Sequence, residues 1–281
     1  MNRTQWTIFV TALLIAAALY AASEKQFFGT PKTKKPQLEI ASQPQFSTDS
    51  ILFYAKRHLS NDQITRINFL EHGVSRGDVK DQQIHIYHQL ASFWGDSVKS
   101  FGPFAWYKAE AARLENSEKS LTFAARLFLD SLMNESNSQI RQWEAFQAKD
   151  LFERSLKLNP NNDSSKIGLG ETFLYGGIAM PMQGISLIRE VATKDSNNIY
   201  ALMSLGRASL MSNQIDKAVE HFKKVVSLQP NNIEAIFRIA EIAEQMGNKK
   251  EAIEWYTKLL PLIDRAEIRK DIETRIAELK K

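Results

Sequence analysis

Cysteine is absent from the 281 residues. That excludes disulfides, thiolate metal ligands, a cysteine nucleophile and an acylated N-terminal cysteine, and it leaves the compartment unassigned. Charge of one sign is scarce as well. Lys and Arg number 36 against 32 Asp and Glu, a net +4 spread without a dominant basic block. Nucleic-acid binding leans on a concentrated basic field, so it is disfavoured. Alternating apolar–polar runs are missing, as is any strand–glycine loop–helix unit, which disfavours a doubly wound sheet and a phosphate-binding loop. No serine has a Gly-x-Ser-x-Gly setting. What is plentiful is apolar side chain: at 43% of the sequence it suffices for a folded core and excludes wholesale disorder.

Trp6 to Ala22 reads WTIFVTALLIAAALYAA, without a charge. As a helix it spans ~26 Å, slightly less than the ~30 Å of a bilayer's hydrocarbon core. Trp6 and Tyr20 stand near its ends, where aromatic rings suit a membrane interface. Residues 1–23 therefore read as a transmembrane signal-anchor. A cleaved signal peptide is the competing reading, because Ala21-Ala22-Ser23 supplies small residues at a cut. For sidedness, the short acid-free leader with Arg3 favours export of the downstream body, whereas Lys25, Lys32, Lys34 and Lys35 favour its retention. We take the body to be extracytoplasmic (periplasmic). Residues 24–45 hold Pro31, Pro36, Pro44 and Gly29 and no apolar period, which predicts a flexible linker.

From residue 47 the apolar spacing is helical. Ile51, Leu52, Ala55 and Leu59 share a face, and so do Ile64, Ile67 and Leu70. Ser60 with Gln63 has the form of a capping box. Further helices are predicted at about 81–95, 103–115, 118–133 and 138–158, with breaks at Gly73 and Gly77, Gly102-Pro103, Asn116-Ser117 and Asn134–Asn137.

Asn159-Pro160-Asn161-Asn162, Asp195-Ser196-Asn197-Asn198 and Gln229-Pro230-Asn231-Asn232 recur at spacings of 36 and 34 residues. Leu202, Leu205, Gly206, Ala218 and Phe222 in one unit fall on Ile236, Ile239, Ala240, Ala252 and Tyr256 in the next. This order resembles the tetratricopeptide repeat, a 34-residue helix–turn–helix family. The likeness is clear over 163–266, which holds three units. In the first of these Gly184 stands where Ala is usual. A divergent helical region at 46–162 contains degenerate units around Leu90-Ala91, Ala105 and Ala112, and around Ala124-Ala125, Ala148 and Phe152. Residues 267–281 read as a capping helix with Ile268, Ile272, Ile276 and Leu279 on one face. The fold class so implied is all-α: a right-handed superhelical solenoid of helical hairpins, preceded by one transmembrane helix.

The resemblance implies that the first helix of each pair lines a concave groove. Its groove positions carry over to Ile167, Glu171 and Tyr175, to Tyr200, Met203, Arg207 and Met211, and to Glu234, Phe237 and Glu241, together with Ser164 and Gln245. The implied activity is binding of a protein or peptide partner, by a scaffold and not an enzyme, without a cofactor or a metal. Ile167, Met203 and Phe237 suit groove exposure and inter-repeat packing equally, and Glu234 and Glu241 read as a solvated face. A subset of the family grips terminal carboxylates with Lys and Asn, but the matching positions here hold Ile167, Glu171, Met203 and Ser204, and only Arg238 is of suitable type. Two alternatives stay open. One is an exported soluble periplasmic protein with its signal removed. The other is a metal or catalytic site in 47–160, where His85 and His88 stand three apart on one helix. No oligomeric state follows from the sequence.

Overall fold

The computed structural model describes residues 46–76 and 79–281. The membrane and linker readings fall on residues 1–45, outside the described residues. Among the described residues no helix is long and apolar enough to cross a membrane, and no β-strand occurs.

Thirteen α-helices are described. The first six are α1 Thr48–Lys56, α2 Asn61–Arg76, α3 Lys80–Ser92, α4 Phe101–Glu115, α5 Glu118–Leu132 and α6 Ser138–Leu158. They are followed by α7 Asp163–Gly176, α8 Pro181–Lys194, α9 Ile199–Met211, α10 Ile215–Leu228, α11 Ile233–Gln245, α12 Lys249–Leu259 and α13 Ala266–Leu279. They pair as successive antiparallel hairpins, α3/α4, α5/α6, α7/α8, α9/α10 and α11/α12, and each hairpin packs on the next. The result is an all-α helical repeat solenoid.

The recurring Asn-Asn turns explain why the register holds. The second Asn of each turn is a helix N-cap. Asn162, Asn198 and Asn232 accept from the backbone N–H of Ser165 (2.8 Å), Ala201 (3.0 Å) and Ala235 (3.0 Å). Each bond satisfies one of the donors left free at a helix start, worth about 1 kcal/mol. The Ser60–Gln63 capping box forms in both directions, at 2.9 and 3.3 Å.

Two expected breaks are placed differently. Gly73 lies inside α2, where a Cβ would come within 3.1 Å of Ile86, so it serves a close approach of α2 and α3. Gly77 lies outside the described residues. Gly102-Pro103 sits in the first turn of α4, which tolerates proline because those N–H groups lack intrahelical partners anyway. The chain turns earlier, at Lys99 with φ 61°, after a π-helical run over Phe93–Val98 that carries the fully buried Trp94.

Small residues sit where neighbouring helices approach one another. Ala105, Ala109 and Ala112 are buried in α4, as are Ala124 and Ala125 in α5. A Cβ on Gly206 would come within 2.5 Å of the Phe222 ring, so Phe222 covers the glycine of its own hairpin, and its buried cluster also holds Ala235 and Ile239 of the next. On α13, Ile272 and Ile276 are buried against Tyr256, Leu259 and Ile263 of the last hairpin, while Ile268 in the first turn is exposed.

One buried carboxylate sets a pH dependence. Glu144 in α6 is 2% exposed; its Oε1 accepts from Ser131 at 2.7 Å, and its Oε2 has no partner. Burial pushes its carboxyl up from 4.5 to about 7, with Ser131 opposing and Glu135 adding to the rise. The folded state therefore holds this proton more tightly than the unfolded chain. The associated stability is complete below pH 4.5 and is lost as pH rises through about 7. Glu144→Gln is expected to be near neutral at about pH 4 and to stabilise by ~1–3 kcal/mol at about pH 8. Urea midpoints of both proteins at the two pH values check this; an equal difference at both would contradict it.

Candidate functional site

The first helices α5, α7, α9 and α11 lie side by side and share a polar belt. Its centre is Glu171 on α7, 2% exposed. Oε1 of Glu171 accepts from Ser204 Oγ (2.7 Å) and from Arg207 Nη2 (2.7 Å), and Oε2 accepts from the Tyr200 hydroxyl (2.5 Å). Arg207 Nη1 continues to Glu234 on α11 at 2.8 Å. Arg126 on α5 donates to the Tyr200 hydroxyl, with its guanidinium carbon 4.7 Å from the ring centroid. Four successive first helices are thus cross-linked by bonds to charged groups, which are about twice as strong as neutral ones.

Burial and the neighbouring charges shift three groups on this face, Tyr200, Arg207 and Tyr175. Burial raises the Tyr200 pKa and Glu171 raises it further, against Arg126 and Arg207. Burial alone would lower the Arg207 pKa, but Glu171 and Glu234 override it and hold the guanidinium charged. Tyr175 is likewise raised by burial first, with Arg207 opposing. Tyr200 is thereby held in its hydroxyl form, the form that donates to Glu171.

At the C-terminal ends of the same helices lies a recess of about 500 Å³. Asp130 and Met133 come from α5 and its C-terminus, Tyr175 from α7, Arg207, Leu210 and Met211 from α9, and Arg238 from α11. Met211 is 57% exposed. Arg238 pairs with Glu241 at 2.9 Å. The Nε atoms of Arg207 and Arg238 are buried without a partner. The recess therefore offers an adaptable apolar wall, two guanidinium edges and the exposed carboxylate of Asp130.

The residues carried over from the repeat pattern divide between this face and the core. Tyr175, Arg207 and Met211 line the recess. Glu171, Tyr200 and Glu234 belong to the belt, with Glu234 exposed at its end. Phe237 is half-buried and packs edge-on against Tyr256, and Glu241 is half-buried on Arg238. Ile167 (1% exposed) and Met203 (5%) point into the solenoid. Ile167 packs with Ala201 and Leu205 of the next hairpin, and Met203 with Ala235 and Ile239 of the one after. For these two, inter-repeat packing is the observed alternative. Arg126 and Asp130 were not legible as site residues, because the 21-residue α6 takes this hairpin out of the 34-residue register. Arg238 was visible only as a lone cation of suitable type.

His85 and His88 do not converge. His88 Nε2 lies 2.9 Å from Glu115 on α4, and His85 contacts Gln89 at 3.2 Å on its own helix. Among the described residues no three His, Asp or Glu side chains are grouped to hold a metal ion.

Residues 209–269 match the profile of the tetratricopeptide repeat family. The class this defines, with the hairpins described above, is a tetratricopeptide-repeat-like solenoid. Among solved structures, MamA residues 41 to the end from Desulfovibrio magneticus RS-1 is 22% identical, covering 66% of this chain and 96% of that one with a TM-score of 0.46. PilW, described as a widely conserved type IV pilus biogenesis factor, is 17% identical over 70% of this chain and 85% of that one, with a TM-score of 0.50. A thermophilic TPR protein in Thermus thermophilus is 16% identical over 72% and 98%, with a TM-score of 0.48. At these identities the likeness concerns the fold alone. No curated protein matches the chain.

Proposed function

We propose that the protein is a binding scaffold. The face built by α5, α7, α9 and α11, concave in this class of fold, receives an extended peptide or an amphipathic helix of a protein partner. The observation that carries this reading is the recess shared by four successive first helices, with exposed Met211 at its wall and Arg238 and Asp130 at its rim. An apolar side chain of the partner would rest on Met211, Leu210 and Tyr175, and its polar backbone would meet the guanidinium and carboxylate edges. The belt around Glu171 holds this surface rigid, which limits the ordering cost of binding.

The tether belongs to the same proposal. Residues 6–22 hold the body near a membrane, on its extracytoplasmic side, and the linker raises the body's local concentration beside other membrane components. The support for this is the uncharged sequence of that segment.

Met211→Glu combined with Phe237→Glu tests the groove, since Met211 is exposed and Phe237 half-buried while Met203 is buried. The double variant is expected to keep its helical spectrum and lose its partner in pull-downs from solubilised membranes. Undiminished capture would remove the groove from the account. A mature N-terminus near residue 24 by mass spectrometry would replace the anchor with a cleaved signal and leave the groove standing.

A further inference from the structure

Two valleys run between successive second helices, one between α8 and α10 and one between α10 and α12. Positions 34 apart correspond in sequence. In the α10–α12 valley, Lys223 bridges to Glu251 at 3.0 Å, buried Ile242 and the exposed Met246 side chain line the space, and about 210 Å³ remains. In the α8–α10 valley the counterparts of that ion pair are Arg189 and Lys217, two cations. The counterparts of Ile242 and Met246 are the smaller Ala208 and Ser212. About 530 Å³ stands open above them.

Lys224 and His221 line the same space, and Glu220 is the one carboxylate among its lining residues. Among the described residues no carboxylate pairs with Arg189, Lys217 or Lys224; Lys217 donates to Gln214 at 2.6 Å. The cations act at a common point. Burial lowers the His221 pKa most, Glu220 opposes it, and Lys224, Arg189 and Lys217 each lower it further. Like charges gathered over an apolar floor are an unfavourable arrangement for the chain alone, and an anionic occupant relieves it.

We propose that the α8–α10 valley binds an acidic peptide segment of a partner protein, which inserts one apolar side chain onto Leu205 and Ala208 between flanking carboxylates. The chain's own linker is unsuited, because Lys25, Lys32, Lys34 and Lys35 outnumber Glu24 and Glu39 there. A bilayer surface meets the rim but does not reach the recessed floor. This valley shares no lining residue with the first-helix recess, so either site can fail without the other.

The probe is fluorescein-labelled Asp-Glu-Asp-Phe-Asp-Glu-Asp, titrated with the full chain and read by anisotropy. Wild type is expected to bind it and to bind the Asn/Gln version and the Phe-to-Ala version at least about tenfold more weakly. Lys217→Glu restores the charge found at Glu251, pairs with Arg189, and is expected to lose about tenfold or more with the helical spectrum intact. Ser212→Met restores the side chain found at Met246 and is expected to lose severalfold; it decides the matter if the first variant is misfolded. The His221 ring resonance should titrate at higher pH when the peptide is bound. Absence of wild-type binding, equal binding of either control peptide, or undiminished binding by the folded variants overturns the proposal. So do phosphatidylglycerol vesicles that bind the protein with the same dependence on Lys217, since the surface is then a membrane contact.

Discussion

Arg207→Ala is expected to cost about 3–5 kcal/mol of unfolding free energy, because it strands a buried carboxylate. Glu171 keeps Ser204 and Tyr200 as donors but loses its cationic partner. The bond from Arg207 to Glu234 matters much less, since Glu234 is half exposed and solvent screens the pair. Two further variants separate these contributions. Glu234→Gln is expected to cost under about 1 kcal/mol. Glu171→Met with Arg207→Met is expected to recover much of the loss, because an apolar pair of similar volume often replaces a buried ion pair without penalty. The recovery is partial, since Tyr200 and Ser204 lose an acceptor at about 1 kcal/mol each. Repeat arrays unfold in steps, so the urea midpoint should be paired with hydrogen exchange over α7, α9 and α11. A loss below about 1 kcal/mol for Arg207→Ala would mean that the belt is not what fixes the first helices.

Gly184→Ala is expected to destabilise by ~2 kcal/mol, although two arguments point the other way. Alanine is the better helix former by about 1 kcal/mol. It is also the residue at this position in the next two hairpins, Ala218 and Ala252. The deciding quantity is distance. A Cβ on Gly184 would lie 2.3 Å from the Gly170 carbonyl oxygen and 3.1 Å from the Leu174 side chain. The first obstacle is backbone, so α7 and α8 must move apart, and overpacking of this kind costs about 1–3 kcal/mol or more before the propensity gain is subtracted. Gly184→Val is expected to abolish the docking of α8 on α7. Thermal unfolding of the Gly184→Ala protein measures the sign directly; an unchanged or raised midpoint would show that the hairpin opens at little cost.

The same pair of helices shows how far the sequence could be read. The small–small pattern marks where two helices approach, because only small side chains admit close axes. How close they come is set by both partners at once. Gly170 faces Gly184 backbone to backbone, whereas Gly206 is covered by the Phe222 ring. The helix starts were legible because Asn162, Asn198 and Asn232 cap at the end of a recurring turn, 36 and then 34 residues apart. Gly73 and Pro103 misled for the opposite reason: a glycine under a neighbouring helix and a proline in a first turn look like breaks until the packing is known. Within the binding face, a positional rule cannot separate Met211 from Met203. Both follow the repeat, but the next hairpin covers Met203 with Ala235 and Ile239 and leaves Met211 at the open end of α9. Arg126 entered the belt from a hairpin whose 21-residue second helix shifts its numbering, so no spacing argument reaches it.

The central claim is that recognition takes place on the surface built by α5, α7, α9 and α11. A photoreactive phenylalanine derivative placed at Met211, and separately at Thr257 on the second helix of the last hairpin, tests it in cells that express the full chain. A covalent adduct with a partner protein from position 211, and none from 257, is the predicted result. Adducts of equal yield from both positions, or from 257 alone, would contradict it.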